Sequence, residues 1–321
     1  MQNYEAPNKE NWSGRNSEDQ SYIHEKVECI ALDDNLKKVL PKSIALLGYA
    51  CDDGVKRNQG RIGAVDGPNI LKKTLAPMPN PISQKTHLYD LGNIECLQEN
   101  LESTQESLSI TVSKILERKC FPIILGGGHD IAYGHYNGIK NAISKNKKIG
   151  IINFDAHFDL RSYENGPNSG TPFYQIAKDC KKENTPFNYL CLGIRKDANT
   201  KLLFKTAKKF NVEYIYNYDF NIQNLKSVIR AIDSFINKVD VVYTTIDLDG
   251  FSSAYAPGVS AASPMGFAPD IVLKCLKKTI RSKKLISLDL AEFNPKYDRD
   301  NQTAKLASSI IHFLLNQHKL L

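Results

Sequence analysis

Short apolar runs rich in Ile, Val, Leu and Tyr alternate along the chain with longer segments of helical spacing. The runs at 43–50, 87–92, 122–125, 149–154, 189–194, 213–217, 239–248 and 285–290 are strand-length and predict about eight strands. Between them, residues 103–118 show the clearest helix: Ser103 and Glu106 form a capping-box pattern, and Leu108, Val112, Ile115 and Leu116 follow at helical spacing. Further helices are expected over 130–144, 171–178, 224–237, 268–282 and 303–317. Strands alternating with helices predict a three-layer α/β/α fold around a parallel sheet, because each parallel connection needs a crossover. No Pro/Gly/Ser-rich linker and no fixed-period repeat divides the chain. One domain over 23–321 is therefore expected, preceded by a polar arm over 1–22. Trp12, the single tryptophan, sits in that arm and either docks on the body or belongs to a free tail.

Composition narrows the class. The chain has 321 residues, 41% apolar and 24% charged, close to the globular average and long enough to bury about three quarters of its unfolded surface. A mainly fibrous or disordered protein is excluded. The net charge of +7 comes from 42 basic and 35 acidic residues, with Lys spread in pairs such as Lys147-Lys148, Lys208-Lys209 and Lys283-Lys284. That is a solvated surface rather than a nucleic-acid-binding stripe, so no nucleic-acid partner is expected. Seven cysteines (Cys29, Cys51, Cys96, Cys120, Cys180, Cys191 and Cys275) lie far apart without a CxxC pair, which argues against a disulfide framework or a thiolate zinc site. The polar N-terminus has no apolar leader segment, and no stretch approaches ~18 uninterrupted apolar residues. A cytoplasmic protein without membrane association is the expectation.

Ligands of open parallel sheets bind beyond the carboxyl ends of the strands, and three of those ends carry unusual residues. They are Gly126-Gly127-Gly128-His129-Asp130, Asp155-Ala156-His157-Phe158-Asp159 and Asp247-Leu248-Asp249. Alternate residues of an extended chain face one side, which would aim Asp155, His157 and Asp159 at one point, and Asp247 and Asp249 likewise. Carboxylates brought that close repel one another unless a cation sits between them. Carboxylate and imidazole without thiolate suit Mn²⁺ or a related divalent ion, Fe²⁺ and Co²⁺ included, and six ligands fit a two-metal cluster that acidifies a shared water. Gly126-Gly127-Gly128 by itself also fits a tight turn or a phosphate cradle. His135, on the 130–144 helix, reads as structural, and His24, His87, His312 and His318 read as surface or packing residues.

In this order the three motifs resemble those of the ureohydrolases, the family of arginase, agmatinase and formimidoylglutamase. The resemblance runs from about Ser43 to the C-terminus and implies an eight-stranded parallel sheet, a trimer or hexamer, and two manganese ions per subunit. It implies that His129, Asp155, Asp159 and Asp247 hold one ion and Asp155, His157, Asp247 and Asp249 the other, with Asp155 and Asp247 bridging. Asp159 would also help to move a proton. Glu292, in Ala291-Glu292-Phe293-Asn294-Pro295, matches the family segment whose carboxylate faces the amidine or guanidine of the substrate.

Several stretches are most similar to formimidoylglutamase: Asn58-Gln59-Gly60-Arg61-Ile62-Gly63-Ala64, the loop Gly166-Pro167-Asn168-Ser169-Gly170-Thr171-Pro172-Phe173, Tyr255-Ala256-Pro257-Gly258-Val259-Ser260-Ala261, and Trp12-Ser13-Gly14-Arg15. Asn168-Ser169-Gly170 stands where arginase and agmatinase carry a substrate-side His, and Asn168 and Ser169 become candidate substrate contacts. N-formimidoyl-L-glutamate carries two carboxylates and one amidinium, so its pocket needs arginine forks beside Glu292. Arg61, Arg161 and Arg195 are the candidates, each equally compatible with a surface ion pair. The implied reaction yields L-glutamate and formamide, with Asp159 and Glu292 catalytic. Its rivals are a urea-releasing activity on arginine, agmatine or a guanidino acid, and a catalytically idle metal-binding assembly or regulatory subunit.

Overall fold

The computed structural model describes residues 3–32, 34–317 and 319; His318 lies outside the described residues. Its strands are β1 (Tyr4–Glu5), β2 (Val27–Cys29), β3 (Ile44–Ala50), β4 (Leu88–Glu95), β5 (Phe121–Leu125), β6 (Ile149–Phe154), β7 (Asn188–Ile194), β8 (Glu213–Tyr216), β9 (Val241–Asp247) and β10 (Leu285–Ala291). Its helices are α1 (Ile23–Lys26), α2 (Asp53–Arg57), α3 (Gly67–Leu75), α4 (Leu101–Glu117), α5 (Ile131–Ala142), α6 (Pro172–Lys182), α7 (Lys201–Lys209), α8 (Leu225–Asn237), α9 (Pro269–Arg281) and α10 (Gln302–Leu315).

All eight expected strands form, and they make one parallel body in the order β4-β3-β5-β10-β9-β6-β7-β8. Two short strands extend the sheet beyond the expected eight: β1 pairs antiparallel with β4, and β2 pairs parallel with it. Alternation along each strand sends its side chains into two cores. Ile123 and Leu125 of β5 join the core under α3, α8, α9 and α10, while Ile124 joins the one under α4, α5 and α6. That is the three-layer arrangement expected for a parallel sheet buried on both faces.

The N-terminal segment is docked. Trp12 is buried and its indole N–H donates to Asp90 Oδ2 at 2.8 Å. Asp90 in turn forms a fully buried ion pair with Lys72 at 2.7 Å, and Lys72 Nζ also donates to Gly92 O and Asn93 Oδ1. Every charge in this buried group is therefore hydrogen-bonded, the condition under which such a pair is tolerated.

One local expectation is corrected. Helix α4 begins earlier than the Ser103 pattern implies, with Asn100 as its N-cap accepting from Ser103 N at 3.0 Å. Asn is as good an N-cap as Ser and lies one turn nearer the strand it follows, so Leu101 is taken into the helix and buried.

Candidate metal centre

Strands β5, β10, β9 and β6 are consecutive neighbours at the middle of the sheet. The chain lays down β5 and β6 first and fills the gap between them later with β9 and β10. The carboxyl ends of these four strands supply His129, Glu292, Asp247 with Asp249, and Asp155 with His157 and Asp159.

His129 Nδ1 lies 3.2 Å from Asp155 Oδ2, 2.8 Å from Asp159 Oδ2 and 2.9 Å from Asp247 Oδ2. His157 Nδ1 lies 3.4 Å from Asp155 Oδ1 and 3.3 Å from Asp249 Oδ1. The side chains thus form two groups of ligand atoms, one of His129, Asp155, Asp159 and Asp247 and one of Asp155, His157 and Asp249, with Asp155 in both. His129 Nδ1 and Asp249 Oδ1 are buried without a hydrogen-bond partner. Unpaired buried ligand atoms in a ring of carboxylates fit a divalent cation, whose charge would offset the repulsion among them.

Backbone turns, not strand pleating, produce this convergence. Strand β6 ends at Phe154, and Asp155 Oδ1 accepts from His157 N at 2.7 Å; Asp247 closes β9 and its Oδ1 accepts from Asp249 N at 2.8 Å. Each leading Asp thereby curls its own loop, as Asx turns do. Asp159 and Glu292 adopt left-handed conformations, with φ of 47° and 64°, a strain that concentrates at functional sites. The glycines before His129 serve packing. Gly127 has φ of 72°, and a Cβ there would lie 2.6 Å from Tyr49 O. No phosphate is needed to explain them.

Glu292 is buried and its Oε1 accepts from His129 N at 2.9 Å. It joins Asp159, His157, Asp247 and Asp249 in the wall of a cavity of about 320 Å³, which Arg61, Arg161, Asn58 and Ser169 also line. The Arg161 guanidinium has no hydrogen-bond or ion-pair partner among the described residues, and it packs on Gly170, where a Cβ would lie 2.9 Å from Arg161 Cδ.

The other candidate substrate contacts fare differently. Arg61 lines the cavity, but its guanidinium donates to Ser260 O and Val259 O and lies 3.8 Å over the Tyr297 ring. Arg195 and Asn168 are not brought to the cavity wall. Arg195 is held by both oxygens of Asp197, two residues along, at 3.0 and 2.6 Å. Asn168 spends its side-chain oxygen on Gly170 N, folding its own loop and presenting Ser169 instead. Sequence reasoning missed Asn199, which also lines the cavity and clamps the metal loop by accepting from Phe158 N and donating to Ala156 O. A lone Asn between a strand and a helix carries no signal of that role.

Without a cation, the cluster holds protons. Burial, reinforced by Asp155, raises Asp159 to about 6, and burial with the Asp247 charge raises Asp249 and Glu292 well above the usual carboxylate range. For His129 and His157 burial opposes the charged form, yet the surrounding carboxylates prevail and lift both well above ordinary imidazole. Ligands must shed these protons to bind metal. Affinity for added Mn²⁺ is therefore expected to rise with pH through about 6, where Asp159 deprotonates. Calorimetric titration at pH 5.5 and 7.5 checks this; equal affinity at both would show that the cluster is not protonated.

Comparison with known proteins agrees with this geometry. The model of the arginase family matches residues 42–316. A formimidoylglutamase from Clostridium tetani is 39% identical over 98% of this chain and 96% of its own. Among solved structures, the formimidoylglutamase of Bacillus subtilis superposes with a TM-score of 0.82 at 24% identity, covering 96% of this chain and 94% of that one. A Trypanosoma cruzi formiminoglutamase solved with Mn²⁺ gives 0.76 at 21% identity, covering 89% and 96%. With a family match over most of its length and the family's ligand motifs gathered at the four central strand ends, the chain belongs to the arginase family.

Proposed function

We propose that this enzyme hydrolyses N-formimidoyl-L-glutamate to L-glutamate and formamide. The observation that carries the reading is the cavity itself, whose wall combines the Glu292 carboxylate and the acidic cluster with an unpaired guanidinium, Arg161. A substrate with an amidinium at one end and carboxylates at the other is complementary to that arrangement. Near-full-length similarity to formimidoylglutamases supports it.

The donor set suits two manganese ions, with His129, Asp155, Asp159 and Asp247 for one and Asp155, His157, Asp247 and Asp249 for the other. The presence of Asp155 in both groups supports its bridging role; Asp247 falls within the first group only, and its bridging is part of the proposal. When bound, such a pair of ions supplies an acidified water near neutral pH. Glu292 keeps one oxygen on His129 N and has the other for the amidinium, which orients the formimidoyl carbon. Arg161, in the wall of the same cavity, takes a carboxylate of the substrate. Asp159, which lines the cavity beside His157 and Glu292, is suited to accept the proton of the attacking water and pass it to the glutamate nitrogen as the C–N bond breaks. Seven free cysteines support a reducing, cytoplasmic location, and no helix of the described residues is long and apolar enough to cross a membrane.

Product analysis on manganese-loaded protein tests the proposal. Formamide and glutamate should appear from N-formimidoyl-L-glutamate, with no urea from arginine, agmatine or guanidino acids. Urea release would move the activity to the guanidine branch, and tight Mn²⁺ binding without turnover on any of these would indicate an idle subunit.

A further inference from the structure

Behind the metal ligands, a chain of buried polar side chains runs down one face of the sheet. In β9, Tyr243, Thr245 and Asp247 alternate onto that face, and β10 sets Ser287, Asp289 and Ala291 beside them in register. Helix α5 lays His135 on top, with its ring 4.5 Å from that of Tyr243. Tyr243, Thr245, Ser287, Asp289 and His135 are fully buried.

Donor accounting gives this chain a direction. Asp289 Oδ1 accepts from Thr245 Oγ1 at 2.5 Å, and Oδ2 accepts from Tyr243 OH and from His135 Nδ1, the latter at 2.6 Å. The other ring nitrogen of His135 meets Ser287 Oγ. A hydroxyl has one hydrogen, and Thr245 gives its own to Asp289. Its contact with His129 Nε2 at 3.0 Å is therefore one in which Nε2 donates. His129 is thereby held with Nε2 protonated and Nδ1 turned to the three ligand carboxylates. A histidine presents that tautomer to a metal.

We infer that His135 is a positioning residue for the metal centre: through Asp289 and Thr245 it fixes the orientation and tautomer of His129. Nothing in the fold requires His135 to be polar, since a helix packing on a sheet is served by an apolar side chain. Tyr243 donates to the same carboxylate oxygen as His135 and shares the role. The inference rests on the reading of the acidic cluster as a metal centre.

The test measures Mn²⁺ dissociation constants and thermal unfolding of the metal-free protein for Thr245→Val, Thr245→Ser, His135→Phe and the His135→Phe/Thr245→Val double variant. Outer hydrogen-bond partners of metal ligands are worth roughly 10–100-fold in affinity. Thr245→Val should weaken Mn²⁺ binding by about that much, Thr245→Ser should restore it to within about threefold, and His135→Phe should weaken it by about tenfold. The deciding result is non-additivity: the double variant should bind no worse than Thr245→Val, because His135 acts only through Thr245. Should His135→Phe not fold, Tyr243→Phe takes its place in the same cycle. Unchanged Mn²⁺ affinity in His135→Phe, or additive losses, would overturn the inference. A wild-type protein that bound no Mn²⁺ would instead overturn the metal reading beneath it.

Discussion

Asp155→Ala should lose bound metal and hydrolytic activity together, by more than the roughly 10–100-fold that an outer-sphere partner costs. Asp155 is the one carboxylate common to both ligand groups, with Oδ2 facing His129 and Oδ1 facing His157. Its own orientation is fixed twice, by His157 N on Oδ1 and by Asn153 Nδ2 on Oδ2. The two imidazoles beside it, with Nδ1 atoms at 3.2 and 3.4 Å, hold its pKa below the ordinary Asp range despite complete burial, so it stays ionised and ready for a cation. The fold should survive the substitution, because removing one anion from a crowded acidic cluster relieves repulsion as well as deleting a partner. Metal content after dialysis against Mn²⁺ and formamide release are the paired measurements. Full metal content with full activity would exclude a bridging role for this residue.

Most of the sheet was readable because its central strands are buried on both faces and appear as short, largely apolar runs. Helices α3 and α7 were not. Gly67-Pro68 at the start of α3 reads as a turn, and α7 buries only Leu203 and Ala207, too short a stripe to set a period. The β1 and β2 strands span two and three residues and owe their existence to the exposed edge of β4 rather than to their own pattern. At the site, the motifs named side chains that do converge, but for an incomplete reason, since Asx turns and left-handed residues aim them where an extended strand was expected. Arginine forks were the least legible feature. Arg195 is neutralised by Asp197, a partner visible two positions along, whereas Arg61 is held by backbone carbonyls of a loop nearly two hundred residues away. His135 shows the same limit from the other side: its helix position marked it as structural, and only the register of β9 against β10 connects it to His129.

Glu292→Gln should separate binding of metal from turnover. Glu292 is no member of either ligand group, so the variant is expected to retain wild-type Mn²⁺ content. The amide can keep its oxygen on His129 N, preserving the loop, but it then presents an N–H₂ where the amidinium of the substrate needs an acceptor. Donor against donor in a buried site resembles breaking one partner out of a buried ion pair, a loss of about 3–5 kcal/mol, or roughly a hundred- to five-thousandfold at 1.36 kcal/mol per tenfold. Because the amidinium is where the reaction occurs, the loss should fall on kcat as well as on kcat/KM. Arg161→Ala supplies the contrast: that guanidinium holds a distant carboxylate, and its removal should raise KM with a smaller change in kcat. A Glu292→Gln enzyme with unchanged kcat/KM would mean that the amidinium is recognised elsewhere, and an enzyme that also lost its metal would mean that Glu292 serves His129 through the loop rather than the substrate.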